Sequence, residues 1–354
     1  MSHLPVFQLP DIPTGTPSDQ ALADAVLRAW RTHGILYLTL DEPLRERATA
    51  ALRESRHFFG RPLHQKLRHL NDLSYSGYIT VGEETTAGQA DLAEIFTVCK
   101  DIAPDDQRFL SRWPCHGPVP WPDPPYQRAI TAYMDGLGDL AERLLAYVAL
   151  GLGLGDPSAF RALTDDGWHH LRALRFPTAS RISGRGIGSH TDYGLVVLAA
   201  QDDTGGLWVR PPVPGECRNR NWLERESAAG MYENEGPWTY VPPVEGTVTA
   251  FPGDILQLLT CGELLSTPHK VRLTDRERYS MAYFHEPNFQ AWVEPLLTSP
   301  QSAGESPDEE RLHYGSHFTR MMMRSYPART TTRRIREEGG LVRLARLREG
   351  AGPR

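Results

Sequence analysis

His190 and Asp192 stand two residues apart in the stretch Gly186–Val209, GIGSHTDYGLVVLAAQDDTGGLWV. In extended backbone such residues leave the same face, so an imidazole and a carboxylate there can grip adjacent positions of one metal ion. A third ligand must come from elsewhere, and His269 in STPHKVRL lies 77 residues after Asp192, far enough for several intervening strands. Two histidines and one carboxylate on one face, with the remaining positions open, form the facial triad of non-haem Fe(II) oxygenases. Arg278 follows His269 by nine residues and opens the run Arg278–Phe284. By itself it would belong to the solvated charges of Asp275–Arg278; after an H-x-D and a distal histidine in this order, an inward position is the better reading. An inward arginine needs an anion. A dicarboxylate such as 2-oxoglutarate meets that need, its keto-acid end chelating iron and its far carboxylate taking the guanidinium fork. Ser280, two residues on and on the same face, can add a hydroxyl donor.

These residues need a scaffold that converges on one point. From residue 168 the sequence breaks into short β-branched and aromatic runs separated by Gly, Pro and Asp. Leu171–Phe176, Leu195–Gln201, Gly206–Arg210, Trp238–Val241, Thr247–Phe251, Ile255–Thr260 and Tyr279–Phe284 read as strands of a sandwich or double-stranded barrel. The polar stretch Pro212–Pro237 reads as an elaborated loop near a site. Upstream, Ser18 or Asp19 can cap a helix over Ala21–Thr32 that stops at Gly34, followed by a strand Ile35–Leu40 and a helix Pro43–Phe59. The clearest helix is Tyr126–Leu152, with Ile130, Met134, Leu137, Leu140, Leu144 and Val148 in one stripe. Helix returns after Pro307, and the Arg-rich end reads as a solvated terminal helix.

The expected architecture is β-rich α+β: one oxygenase domain over 1–354, with a mainly helical part over 1–165, a jelly-roll core over 166–300 and C-terminal helices over 301–354. The chain has 354 residues, 40% of them hydrophobic and 23% charged, with Gly 31 and Pro 29, which favours a turn-rich packed fold over disorder. A net charge of −6 argues against nucleic acid or an anionic membrane as partner. No apolar run is long enough to span a bilayer, and MSHLPVFQLPDIPTG lacks the charged and apolar regions of a signal peptide. Cys99, Cys115, Cys217 and Cys261 form no C-x-x-C. Reduced thiols in a cytoplasmic protein, with a monomer favoured, are therefore expected.

The order H-x-D, distal His and R-x-S resembles the isopenicillin-N-synthase-like Fe(II)/2-oxoglutarate oxygenases. Longer blocks resemble the bacterial ethylene-forming members of that family: YSGYITVGEETTAG, EIFTVCKD, WPCHGPVPWP, DGWHHLRALRFP, RNRNWL, STPHKV, AYFHEPNF and MRSYPAR. The resemblance runs from about Phe7 to about Thr332. It implies a double-stranded β-helix with Fe(II) on His190, Asp192 and His269. It implies that Arg278 anchors 2-oxoglutarate, that Arg172 lies near its chelating end, and that Phe251, Phe284, Leu174 and Ala199 keep the pocket dry. It implies L-arginine beside the iron, touched by Glu84, Thr86, Tyr193 and Arg324, with Tyr326 nearby. It implies O2 as the oxidant and ascorbate as a supporting reductant.

Two outcomes follow from the resemblance: fragmentation of 2-oxoglutarate to ethylene and CO2, and oxidation of L-arginine with formation of succinate, guanidine and pyrroline-5-carboxylate. The competing readings are a hydroxylase or ring-forming oxidase of another small molecule, and a non-catalytic 2-oxoglutarate or arginine sensor. Thr85 and Ser325 depart from the ethylene-forming pattern, which has an apolar residue and a cysteine there. Cys261 replaces a glycine, Leu297–Glu309 is slightly longer, and Ser280 restores the R-x-S of the wider family. From residue type alone, Glu83 and Glu84 read as a solvated loop pair, and His169, His170, His313 and His317 as structural.

Overall fold

The computed structural model describes residues 4–179, 184–223, 225–297 and 311–350, except for the side chains of 347–350. The expected lengthening at Leu297–Glu309 falls, beyond Leu297, outside the described residues. Two sheets form the centre, antiparallel except for one parallel pair at an edge. We number their strands β1 (Val6–Phe7), β2 (Leu36–Thr39), β3 (Gly77–Ile79), β4 (Glu94–Val98), β5 (His170–Phe176), β6 (Arg185–His190), β7 (Val196–Gln201), β8 (Leu207–Val209), β9 (Thr239–Val241), β10 (Thr247–Pro252), β11 (His269–Arg272) and β12 (Arg278–His285). The larger sheet runs β1-β2-β10-β7-β12-β5-β4-β3, and the smaller runs β9-β8-β11-β6. Strands β10, β7, β12 and β5 facing β9, β8, β11 and β6 make the jelly roll, in which consecutive strands alternate between sheets except for β8 and β9, which pair within the smaller one.

Long helices flank the larger sheet: α1 (Pro17–His33), α2 (Glu42–Phe59) and α3 (Pro124–Gly151). Both α2 and α3 contact β12, and α3 packs against α1 and α2. The apolar stripe of α3 is buried at Ile130, Leu137, Leu140, Leu144 and Val148, as its spacing predicts. Helix α1 begins earlier than expected. Thr16 is its cap, in a capping box closed by Asp19, so Ser18 and Asp19 lie inside the first turn. Gly34, at φ 71°, ends it.

One expected strand is a helix. Ile255–Thr260 belongs instead to α4 (Asp254–Leu259), all six of whose residues are buried. A short run buried on every side carries no period to separate strand from helix. Its start docks on the turn after the H-x-D: Asp254 N–H bonds Asp192 O (2.8 Å) and Ile255 N–H bonds Gly194 O (3.0 Å). The approach is tight, since a Cβ on Gly253 would lie 2.4 Å from Gly194 O. Conversely, β6 and β11 are strands that the apolar pattern does not announce. After residue 311 come α5 (Tyr314–Ser325) and α6 (Thr330–Glu337). His313 caps α5 rather than lying on it, and among the described residues it joins no metal-ligand cluster with His317.

Candidate active site

The smaller sheet brings the two distant histidines together. His190, the last residue of β6, pairs directly with His269, the first of β11. Their ring centroids are 4.2 Å apart. Asp192 faces both, with Oδ1 3.6 Å from His190 Nε2 and Oδ2 3.4 Å from His269 Nε2. One ligand atom from each of the three falls within 4.8 Å of the others, the one such group among the described residues. Each imidazole is oriented by its own backbone. His190 Nδ1 lies 2.9 Å from Gly188 O, and His269 Nδ1 lies 3.1 Å from Thr267 O. A carbonyl only accepts, so both Nδ1 atoms carry the proton and both Nε2 lone pairs are free for a cation. Burial, then the neighbouring His269, pushes His190 down to about 4, which keeps it neutral at ordinary pH.

Behind the triad, between the sheets, is a chamber of about 60 Å³. The larger sheet supplies Leu174, Phe176, Ala199, Phe251, Phe284 and Ala282 to its wall, and the smaller sheet supplies Ile187, Leu207 and Val271. Arg278 closes the far end. It is 4% exposed, donates to Ser280 Oγ (3.0 Å), and holds its guanidinium 4.7 Å over the Phe176 ring. Among the described residues no carboxylate lies within ion-pair distance, and Arg278 Nε has no hydrogen-bond partner. Burial pulls its pKa down to about 10, so it remains charged. A buried cation with an empty donor and no counter-ion fits an anion entering the chamber. The residues present therefore fit both a divalent metal and a dicarboxylate spanning from metal to Arg278.

On the opposite side of the triad opens a cavity of about 330 Å³. Glu84, Thr86, Tyr193, Arg324 and Tyr326 all line it, together with Arg172, His190 and Asp192. Glu84 is 8% exposed, not the solvated residue its type implies. Arg172 Nη2 donates to Glu84 Oε2 (2.5 Å) and to Tyr326 OH (3.1 Å), and Tyr326 OH donates to Glu84 Oε1 (2.8 Å). Burial, the largest single influence, would lower the Arg172 pKa; Glu84, Tyr326 and Asp192 together overcome it and raise it. Thr86 donates to Asp91 (2.6 Å), which also accepts from Arg185 and the Gly188 N–H. Burial, then the charge of Glu84, pushes Asp91 up to about 6.

The two departures from the ethylene-forming pattern meet at this wall. Thr85 donates to Ser325 O (3.4 Å), and Ser325 Oγ bonds Tyr193 OH (2.8 Å). The loop 212–237 reaches the cavity through Asn221, Ser227 and Ala229, as its composition predicts. Gly230 N–H and Ser189 Oγ clamp it to β6 (2.7 and 2.6 Å). Two wall residues escape sequence reasoning. His170 is buried and stacks on Phe284 at 4.2 Å, and Asn221 donates to Asp254 and accepts from Arg324. Only the RNRNWL block draws the eye to Asn221. His169, by contrast, is a half-buried residue outside this cavity whose Nδ1 accepts from the Glu286 N–H.

Comparison with known proteins decides the family. A 2-oxoglutarate-dependent ethylene/succinate-forming enzyme of Ralstonia nicotianae is 54% identical over 350 residues, covering 99% of both chains. The profile of the 2OG-Fe(II) oxygenase superfamily matches residues 168–287. The chain belongs to this superfamily. As a 2OG-Fe(II) oxygenase it is an enzyme that uses Fe(II) and 2-oxoglutarate. The N-terminal profile of non-haem dioxygenases in morphine synthesis matches residues 4–124. A homoarginine-6-hydroxylase of Glycine max is 29% identical, with 74% of this chain and 75% of that one covered. A Neurospora crassa protein, solved in complex with alpha-KG and 5-formyluracil, shares the oxygenase fold at a TM-score of 0.71 and 21% identity, over 90% of this chain and 95% of that one. Among the described residues no helix is long and apolar enough to cross a membrane.

Proposed function

We propose that this oxygenase converts 2-oxoglutarate to ethylene and CO2 and, in a parallel reaction, oxidises L-arginine with formation of succinate, guanidine and pyrroline-5-carboxylate. In this reading His190, Asp192 and His269 hold the iron, which supplies the activation of O2 and of the 2-oxo acid. Arg278 and Ser280 take the far carboxylate of 2-oxoglutarate, and Phe251, Phe284, Leu174 and Ala199 exclude water around its methylenes. Arg172 lies where the chelating end would sit. The observation that carries the cosubstrate is the charge layout of the larger cavity, with Glu84 and Asp192 facing it as acceptors and Arg324 standing at its mouth. A molecule with a cationic end and a carboxylate end matches that layout. Each carboxylate oxygen accepts more than one bond, so Glu84 can take a second cation while holding Arg172.

The test is headspace gas and product analysis of purified protein with Fe(II), ascorbate, 2-oxoglutarate and L-arginine. Ethylene and succinate, both rising with arginine, are expected. The hydroxylase relatives favour a second reading, oxidation of an arginine-like molecule without ethylene; succinate with no ethylene would select it.

A further inference from the structure

We infer that Asn221 is the positioning residue that aims Arg324 into the larger cavity and leaves its charge free, so that the site selects a cosubstrate bearing a carboxylate. This rests on the arginine reading above. Asn221 is 2% exposed, at the inner end of the covering loop, and its amide orientation is fixed by its neighbours. Nδ2 donates to Asp254 Oδ2 (3.0 Å), so Oδ1 faces the Ala228 N–H (3.2 Å) and Arg324 Nη2 (2.7 Å). Arg324, at the exposed end of α5, otherwise bonds only Met321 Sδ (3.1 Å). Among the described residues it has no carboxylate partner. An exposed arginine on its own samples many rotamers, and one neutral, buried acceptor removes that freedom without cancelling the charge.

The neutrality is itself dictated by the fold. An aspartate at 221 would set two carboxylates against each other, because the Asn221 amide stands 3.0 Å from the Oδ2 of the buried Asp254. The same Asp254 bonds the Asp192 carbonyl through its backbone, so Asn221 is built on the turn that carries the acidic member of the triad. A purely structural asparagine, tying the loop to α4, would need only the Asp254 and Ala228 bonds. The third bond, to a cavity-lining arginine, is what the inference explains.

The experiment is calorimetric titration of L-arginine and of agmatine, which lacks the carboxylate, into protein holding 2-oxoglutarate and Mn(II) in place of Fe(II) under anaerobic conditions. Wild type should prefer L-arginine. Asn221→Asp should weaken L-arginine by about tenfold or more, through a new Arg324 partner, and leave agmatine within about threefold. Should the acidic variant fail to fold, Asn221→Ala should narrow the same preference by unfixing Arg324. An unchanged arginine-to-agmatine ratio in a folded variant overturns the role of Asn221 while leaving the arginine reading intact. A wild type that binds neither ligand overturns the arginine reading and this inference with it.

Discussion

Two arginines flank the triad, Arg278 buried and Arg172 half-buried, and their surroundings are opposite. Arg278 sits in an apolar chamber with a serine and an aromatic face but no carboxylate within ion-pair distance among the described residues. Arg172 sits at the edge of the polar cavity, already joined to Glu84 and Tyr326. A buried charge without a partner lowers the stability of the free protein and gains a partner when an anion binds. A charge with its partner supplied by the fold is a structural element first. The inner chamber is thus prepared for a ligand charge, whereas at the outer wall Arg172 is already balanced, Glu84 offers only residual acceptor capacity, and the free charge is that of Arg324.

The comparison can be broken most severely at the point both regions share. Asp192→Ala removes the anionic member of the triad, and 2-oxoglutarate consumption with and without arginine should fall below detection. Near-wild-type succinate formation would remove the metal assignment altogether. Arg278→Gln should weaken 2-oxoglutarate by about 2–5 kcal/mol in a binding titration, yet raise the melting temperature of the ligand-free protein by relieving a buried unpaired charge. If affinity is unchanged, the far carboxylate binds elsewhere.

Glu84→Gln should show the reverse pattern of stability. It strips Arg172 of its carboxylate, so the ligand-free protein should melt lower, while 2-oxoglutarate binding survives. Arginine binding should weaken by about 1.5–3 kcal/mol. A melting temperature at or above wild type would erase the distinction between the two arginines. The smallest effect concerns Asp91, behind Thr86 on the outer wall. Its folded pKa, about 6, lies above the ordinary value of 3.8, so its protonated form is favoured by folding. That contribution is fully present below about pH 4 and lost as pH rises towards 6. Asp91→Asn should therefore gain stability relative to wild type between about pH 4.5 and 7, by at most about 3 kcal/mol. Thermal unfolding at the two pH values checks this; a pH-independent difference contradicts it.

Residue types and spacing were enough to single out His190, Asp192, His269 and Arg278. Metal ligation and anion pairing each demand particular side chains, and H-x-D followed by a distal His and an R-x-S leaves few other uses for them. The stripe of α3 was equally legible, since a helix against a sheet must repeat its apolar residues near every third or fourth position. The strands that carry the two histidines were not. Arg185–His190 is interrupted by glycines, and its pairing with β11 shifts register twice between His269 and Arg272, so neither segment shows a clean alternation. Nor did Ile255–Leu259 reveal itself as a helix, because burial on all sides leaves no period. Glu84 is the sharpest case. As a residue in a Glu-Glu pair it reads as solvated, and only the longer resemblance drew it to the site. What removes it from water is a partner 88 positions away in Arg172 and another 242 away in Tyr326. Local sequence sets what a side chain can do; whether a charge is free or spent depends on which distant chain segment the fold sets against it.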